Sequence, residues 1–142
     1  MKIDFVKTMK EAFQDLFPEK PPENQPNAVC STMDVGNGWF KLIWALCDNI
    51  QQELEMHPKV KDGFMITSVK EHKGSLMFEV STANMGIFDL IEKAESQSES
   101  ICLQCGSDHG LIVEIVGEQK CVCIDCYGRV KNDIKKGTLW ED

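Results

Sequence analysis

The residues of this chain best suited to chemistry are cysteines, and their spacing points to a metal. Cys102-Leu-Gln-Cys105-Gly106 is followed, after a strand-like stretch, by Cys121-Val-Cys123-Ile-Asp-Cys126. Two cysteines separated by two residues on a tight turn converge both sulfurs on one ion, and a second such pair completes a tetrahedral zinc site. The expected ligands are Cys102, Cys105, Cys123 and Cys126, with structural Zn2+ as cofactor. Gly106 stands where the backbone must curl over the sulfurs. Two alternates stay open. Cys121 lies two residues before Cys123, on the same face of a strand, so its thiol competes for the site. Cys123 is preferred because it keeps the two-residue spacing. His109 lies within reach, and histidine replaces cysteine in many zinc sites. A dithiol redox pair would need a βαβ setting that neither pair has. Cys30 and Cys47, outside the cluster, read as small buried hydrophobes. Four thiolates leave no open coordination position, so the site explains how a small segment folds and not how a reaction proceeds.

Little else in the chain points to catalysis. His57 falls at a helix-ending turn and His72 in a hairpin, with no nucleophile or acid arranged around either. There is no phosphate-cradling glycine loop, no His-Glu-x-x-His helix and no nucleophile elbow, so the chain is read as a non-enzyme. Trp140, in an acidic tail, is the aromatic best placed to contact a partner. Arg129, Lys131 and Lys135 put positive charge on the final helix. They suit either a phosphate backbone or the negative end of the helix dipole, and the dipole reading is preferred.

These residues must be positioned by a short chain. With 142 residues it can bury one modest core plus a metal-stapled module, and hardly two full hydrophobic domains. Its 23 acidic residues against 15 basic ones give a net charge of -8, which disfavours nonspecific binding to nucleic acid. The seven cysteines form an odd set crowded toward the C-terminal end, with no apolar signal segment, which fits a reducing compartment better than a disulfide scaffold. No apolar run approaches the roughly 20 residues needed to span a bilayer, so a soluble protein is expected.

Periodicity sketches the elements. Phe5, Val6, Met9, Phe13, Leu16 and Phe17 recur at steps of three and four, predicting an amphipathic helix over 4–17 with Asp4 as its cap. Prolines then exclude regular helix across a stretch at 18–27. A core helix is expected over 37–56, its stripe Trp39, Ile43, Leu46, Ile50 and Leu54, ended by His57-Pro58. Phe40 and Trp44 widen that stripe. From Phe64 to Ser81 the pattern becomes a β-hairpin turning at Lys73-Gly74, with the buried face of its first strand undecided. A short helix follows over 85–96, through Ile87, Phe88, Ile91 and Ala94. The serine-rich 96–100 has nothing to bury and reads as a joint. Beyond it, Leu111–Val116 and Lys120–Cys123, separated by Gly117-Glu118-Gln119, form a ribbon hairpin. A basic helix over 124–136 is stopped by Gly137. The fold class is thus α+β: an N-terminal unit of helices and a hairpin over 1–98, then a zinc ribbon with a C-terminal helix over 99–142.

The order of these motifs resembles a group of small, mostly uncharacterised proteins of tailed bacteriophages and prophages. In that group a Gly-Trp opens a helix, a strand similar to Val-Lys-Glu-Lys-Phe-Gly-Gly-Leu-Arg-Phe follows, and a Cys-x2-Cys-Gly knuckle precedes a second Cys-x2-Cys. The corresponding residues are Gly38-Trp39, the run from Val69 to Phe78, Cys102 with Cys105 and Gly106, and Cys123 with Cys126. The likeness covers roughly 36–126. Lys73 stands where the group has phenylalanine and Met77 where it has arginine. The resemblance implies a zinc-bearing accessory protein of phage origin, acting in the host cytoplasm. The acidic surface adds a host or phage protein as the expected partner, with inhibition of a host defence or regulatory factor as one form of action. The alternative is a nucleic-acid-binding zinc-ribbon regulator using the final basic helix. No membrane role is expected, and the oligomeric state is left open.

Overall fold

The computed structural model describes residues 1–18, 30 and 33–135, with side chains up to Arg129. Within these the chain is α+β, as the alternation of periods predicts. Helix α1 spans Ile3–Ala12 and buries Met9; a turn after it buries Phe13, Leu16 and Phe17. Asp4 does not cap it. The helix starts one residue earlier, so Asp4 lies in the first turn, where its carboxylate still favours the positive end of the dipole. Of the proline stretch 18–27, all but Pro18 lies outside the described residues.

A 3-10 turn, Asn37–Trp39, leads into helix α2, Phe40–Met56. Trp39, Ile43, Leu46, Ile50 and Leu54 are all buried, so the predicted stripe is the face on which the core is built. Phe40 and Trp44 are half-buried in a ring ladder with helix α1 and its turn. Phe5 meets Phe40 at 4.9 Å, Phe40 meets Trp44 at 5.7 Å and Phe13 meets Trp44 at 4.8 Å. Pro58 ends α2 but at once occupies the first turn of a short helix, α3 (Pro58–Lys61), where its missing N–H costs nothing.

Strand β1 (Met33–Asp34) pairs in parallel with β2 (Ile66–His72), which pairs antiparallel with β3 (Ser75–Val80). The inward face of β2 is ambiguous in sequence because the register slips between Ile66 and Ser68. This irregularity lets Ile66 and Val69, three apart, both reach the core. Helix α4 spans Met85–Ser98, and the Asn84 side chain accepts from the Ile87 amide at its start. Ile87, Ile91 and Ala94 face the core, whereas Phe88 points outward.

The serine-rich stretch is not a free joint at its start, because α4 continues to Ser98 and buries that residue completely. The Ser98 hydroxyl accepts from the Leu76 amide at 2.9 Å and donates to the Glu95 carbonyl at 2.6 Å; a Glu95 carboxylate oxygen accepts from the Phe78 amide at 3.0 Å. Strand β3 is the outer strand of its sheet, and these side chains of α4 satisfy amides that would otherwise be open to another strand.

The ribbon hairpin consists of β4 (Leu111–Ile115) and β5 (Glu118–Val122), in register from Leu111↔Val122 to Ile115↔Glu118. Its turn is Val116-Gly117, so Glu118 and Gln119 belong to the second strand and not to the loop. Both hairpins turn on two residues of positive φ, Lys73-Gly74 and Val116-Gly117, the twist that suits a two-residue connection. Helix α5, Ile124–Lys135, follows directly. Gly137 lies outside the described residues. The buried residues of both parts, from Met9 through Trp39 and Val69 to Cys102, Leu103, Ile115 and Val122, form one cluster. No helix among the described residues is long and apolar enough to cross a membrane.

Candidate metal centre

The first knuckle is a tight turn between Ile101 and Ser107. Gly106 closes it with φ +81, a conformation that a side chain resists, and its amide donates to the Cys102 carbonyl at 2.9 Å. Cys102 in turn donates its amide to the Ser107 carbonyl at 2.8 Å. The second knuckle forms where β5 ends at Val122 and α5 begins at Ile124, leaving Cys123 between the two elements and Cys126 on the first turn of the helix. Leu103 ties the first knuckle to β5, just ahead of the second, by donating its amide to the Cys121 carbonyl at 2.9 Å.

The four sulfurs of Cys102, Cys105, Cys123 and Cys126 all lie within 4.8 Å of one another and could hold a metal ion. Cys105 and Cys123 bring their sulfurs to 3.7 Å. Four sulfurs at the usual distance of about 2.3 Å from a tetrahedral ion would stand about 3.8 Å apart, so the spacing fits. The two knuckles repeat one geometry: the Cys105 amide points at the Cys102 sulfur and the Cys126 amide at the Cys123 sulfur, each at 3.5 Å. Such N–H groups favour thiolate over thiol.

The electrostatics also suit a cation. The Cys126 amide holds the Cys123 thiol down at about 6 against the opposing effect of burial, helped by the side chains of Cys126, Cys105 and Ser107. Burial, then the neighbouring cysteines, push the Cys126 thiol well above the ordinary range. The crowded cysteines thus oppose one another's ionisation in the absence of a cation. A bound dication would resolve the conflict by favouring thiolate at each ligand. The Ser107 hydroxyl, buried beside Cys123 without a partner of ordinary hydrogen-bond geometry, is placed to donate to that thiolate.

Neither alternate ligand joins the cluster. Cys121 is fully buried, but its thiol donates to the carbonyls of Glu99 and Ile101 at 3.3 and 3.2 Å. Burial, followed by the charges of Cys102 and Glu99, raises it to about 11, which keeps the proton on the sulfur. Its expected competition with Cys123 fails because the strand ends between them, so the two side chains do not share a face. His109 is exposed and pairs with Asp108 at 3.2 Å. Arg129 is exposed on α5. Lys131 and Lys135 lie on the same helix with side chains outside the described residues, and Trp140 lies outside them altogether.

Sequence reasoning missed what supports the first knuckle. The Gly38 amide donates to the Leu103 carbonyl at 2.8 Å, and the Trp39 indole Nε1–H donates to the Ile101 carbonyl at 2.8 Å. A Cβ on Gly38 would stand 2.1 Å from the Cys102 carbonyl oxygen and 2.6 Å from the Gly106 nitrogen. The knuckle therefore lies directly on the backbone at Gly38. Gly38-Trp39 and Cys102-x2-Cys105-Gly106, quoted above as separate motifs, are two sides of one contact, and their co-occurrence was the available signal. A second bridge joins the hairpins, with Lys120 on β5 bonded to Glu71 on β2 at 2.7 Å, their side chains 18% and 13% exposed. Comparison with protein-family models, with curated proteins and with solved structures finds no match to this chain.

Proposed function

We propose that the chain is a zinc-ribbon protein whose metal is structural and whose activity is the binding of another protein. The observation that carries the metal reading is the convergence of four sulfurs on two matched knuckles. An all-sulfur tetrahedral donor set suits zinc or iron; zinc is the assignment because it needs no redox partner and commonly serves to hold small modules folded. Four protein ligands leave no place for a substrate on the ion, which supports a non-enzymatic role. Protein binding is supported by exposed apolar side chains on the ribbon, Leu111, Ile112, Val116 and Ile124, carried on elements that the metal would hold rigid. The net charge of -8 favours a basic protein over nucleic acid as the partner. A phage origin, action in the host cytoplasm and inhibition of a host factor rest on the motif order alone.

The test is metal analysis followed by partner capture. Protein purified under reducing conditions without chelator should carry one colourless zinc ion per chain; red, iron-loaded protein would overturn the zinc assignment. Cys102→Ser should lose the metal, while Cys121→Ser and His109→Ala should keep it. A protein partner captured by the native chain should be lost with Ile112→Glu plus Ile124→Glu while zinc is retained. Retention of the partner by that variant would remove the ribbon surface from the reading.

A further inference from the structure

We infer that Cys105 is a modification site: the sulfur at which a two-electron oxidant of the peroxide class enters the cluster, with Cys123 closing the disulfide. The inference rests on the reading of the four cysteines as a thiolate–metal centre. Cys102, Cys123 and Cys126 are 0%, 7% and 2% exposed, whereas Cys105 opens to solvent. The amide bonds follow the same division. Cys102 and Cys123 each have an N–H directed at the sulfur, and among the described residues no amide is directed at Cys105. A metal makes all four sulfurs thiolates, so the fraction ionised no longer separates them. What separates them is access, and the charge that a neighbouring N–H withdraws from sulfur. Cys126 also lacks an amide donor but is buried, leaving Cys105 as the ligand that both belongs to an exposed residue and has no such donor.

The chemistry closes within the cluster. The Cys105 thiolate attacks one oxygen of hydrogen peroxide; an S–O bond forms, the O–O bond breaks and hydroxide leaves, with sulfur oxidised and peroxide reduced by two electrons. The Cys123 sulfur, 3.7 Å away, then attacks the sulfenic sulfur. The S–S bond forms as the S–O bond breaks, and a second hydroxide departs. Two protons from solvent convert the two hydroxides to water. The metal, left with Cys102 and Cys126, is released unchanged as a dication. Because the new bond crosses between knuckles, it removes one ligand from each.

The experiment uses the full metal-loaded chain, its metal content measured first, treated with substoichiometric hydrogen peroxide beside a chromogenic chelator. A sulfenic-acid trap is included in one arm and peptide mapping in the other. Expected are the trap on Cys105, a Cys105–Cys123 disulfide in its absence, and one metal ion released for each disulfide formed. First oxidation at Cys30, Cys47 or Cys121, a Cys102–Cys105 disulfide, or thiol loss without metal release would overturn the assignment. A chain that holds no metal before oxidant is added overturns the centre itself, which separates failure of the underlying reading from failure of the inference.

Discussion

At the scale of single residues, the four candidate ligands were legible because two-residue spacing is itself a geometric statement: it fixes how two sulfurs can meet whatever surrounds them. The exclusion of Cys121 was not legible, since it depends on β5 ending one residue later at Val122 and on carbonyls of Glu99 and Ile101 brought from elsewhere. Lys120 presents the same case, having no sequence pattern that names Glu71 as its partner. Burial opposes the charge of Lys120, but its bond to Glu71 and the charges of Glu71 and Glu118 outweigh that cost and hold its pKa above the ordinary 10.5. A raised lysine pKa means that the folded state binds the proton more tightly than the unfolded chain does. The resulting stability is fully present below pH 10.5 and is lost as pH rises through the folded value. Lys120→Met should therefore cost about 1 kcal/mol at neutral pH. The difference from the native chain should shrink once the pH passes the folded value. Urea denaturation of both proteins across that range checks it; a difference independent of pH would assign the loss to packing.

At the scale of elements, long periodic segments were legible and pairings made at a distance were not. The stripe of α2 runs over five positions and needs no partner to be seen. Strand β1 is two residues long and exists only because β2, more than thirty residues later, pairs with it. The end of α4 was misplaced because Ser98 looks solvated in sequence, yet it fills a specific acceptor position against Leu76. The docking of the first knuckle on the 3-10 turn is the element contact that matters most for the metal. Gly38→Ala would drive a methyl into the Cys102 carbonyl, and backbone on both sides leaves no flexible atom to yield. The substitution should cost roughly 2–4 kcal/mol. Because the displaced atoms belong to a ligand residue, metal affinity should fall at least about tenfold, equivalent to about 1.4 kcal/mol, although Gly38 touches no metal. Competition with a chelator measures this. Gly63→Ala is the matched control, since a Cβ there meets nothing within 4 Å. Equal affinity in the two variants would show that the knuckle forms independently of the turn beneath it.

At the scale of the whole molecule, a division into an N-terminal unit over 1–98 and a ribbon over 99–142 becomes a question of how stability is shared. The ribbon contributes Leu103, Ile115, Val122 and the buried Cys102, Cys121, Cys123 and Cys126 to the core, too few apolar groups to hold a hairpin without the metal. The N-terminal part retains Met9, Phe13, Ile43, Leu46, Ile50, Leu54, Val69, Phe78 and Ile87, an interior that needs no metal ligand. It loses the lid over Trp39, whose indole is fully buried and bonded to Ile101, and the bond from Glu71 to Lys120. Metal removal should therefore act unequally. Chelation should release the amides of β4 and β5 to rapid hydrogen exchange, expose the Gly38 amide and shift Trp39 fluorescence to the red, while β2 and β3 stay protected at reduced stability. Readdition of zinc should restore all three signals together, because one ion holds both knuckles and the first knuckle holds the lid. If β2 and β3 lose protection as completely as β4 and β5, the two parts fold as one unit. If Trp39 is unmoved while the ribbon opens, the contact at Gly38-Trp39 is not the link between them.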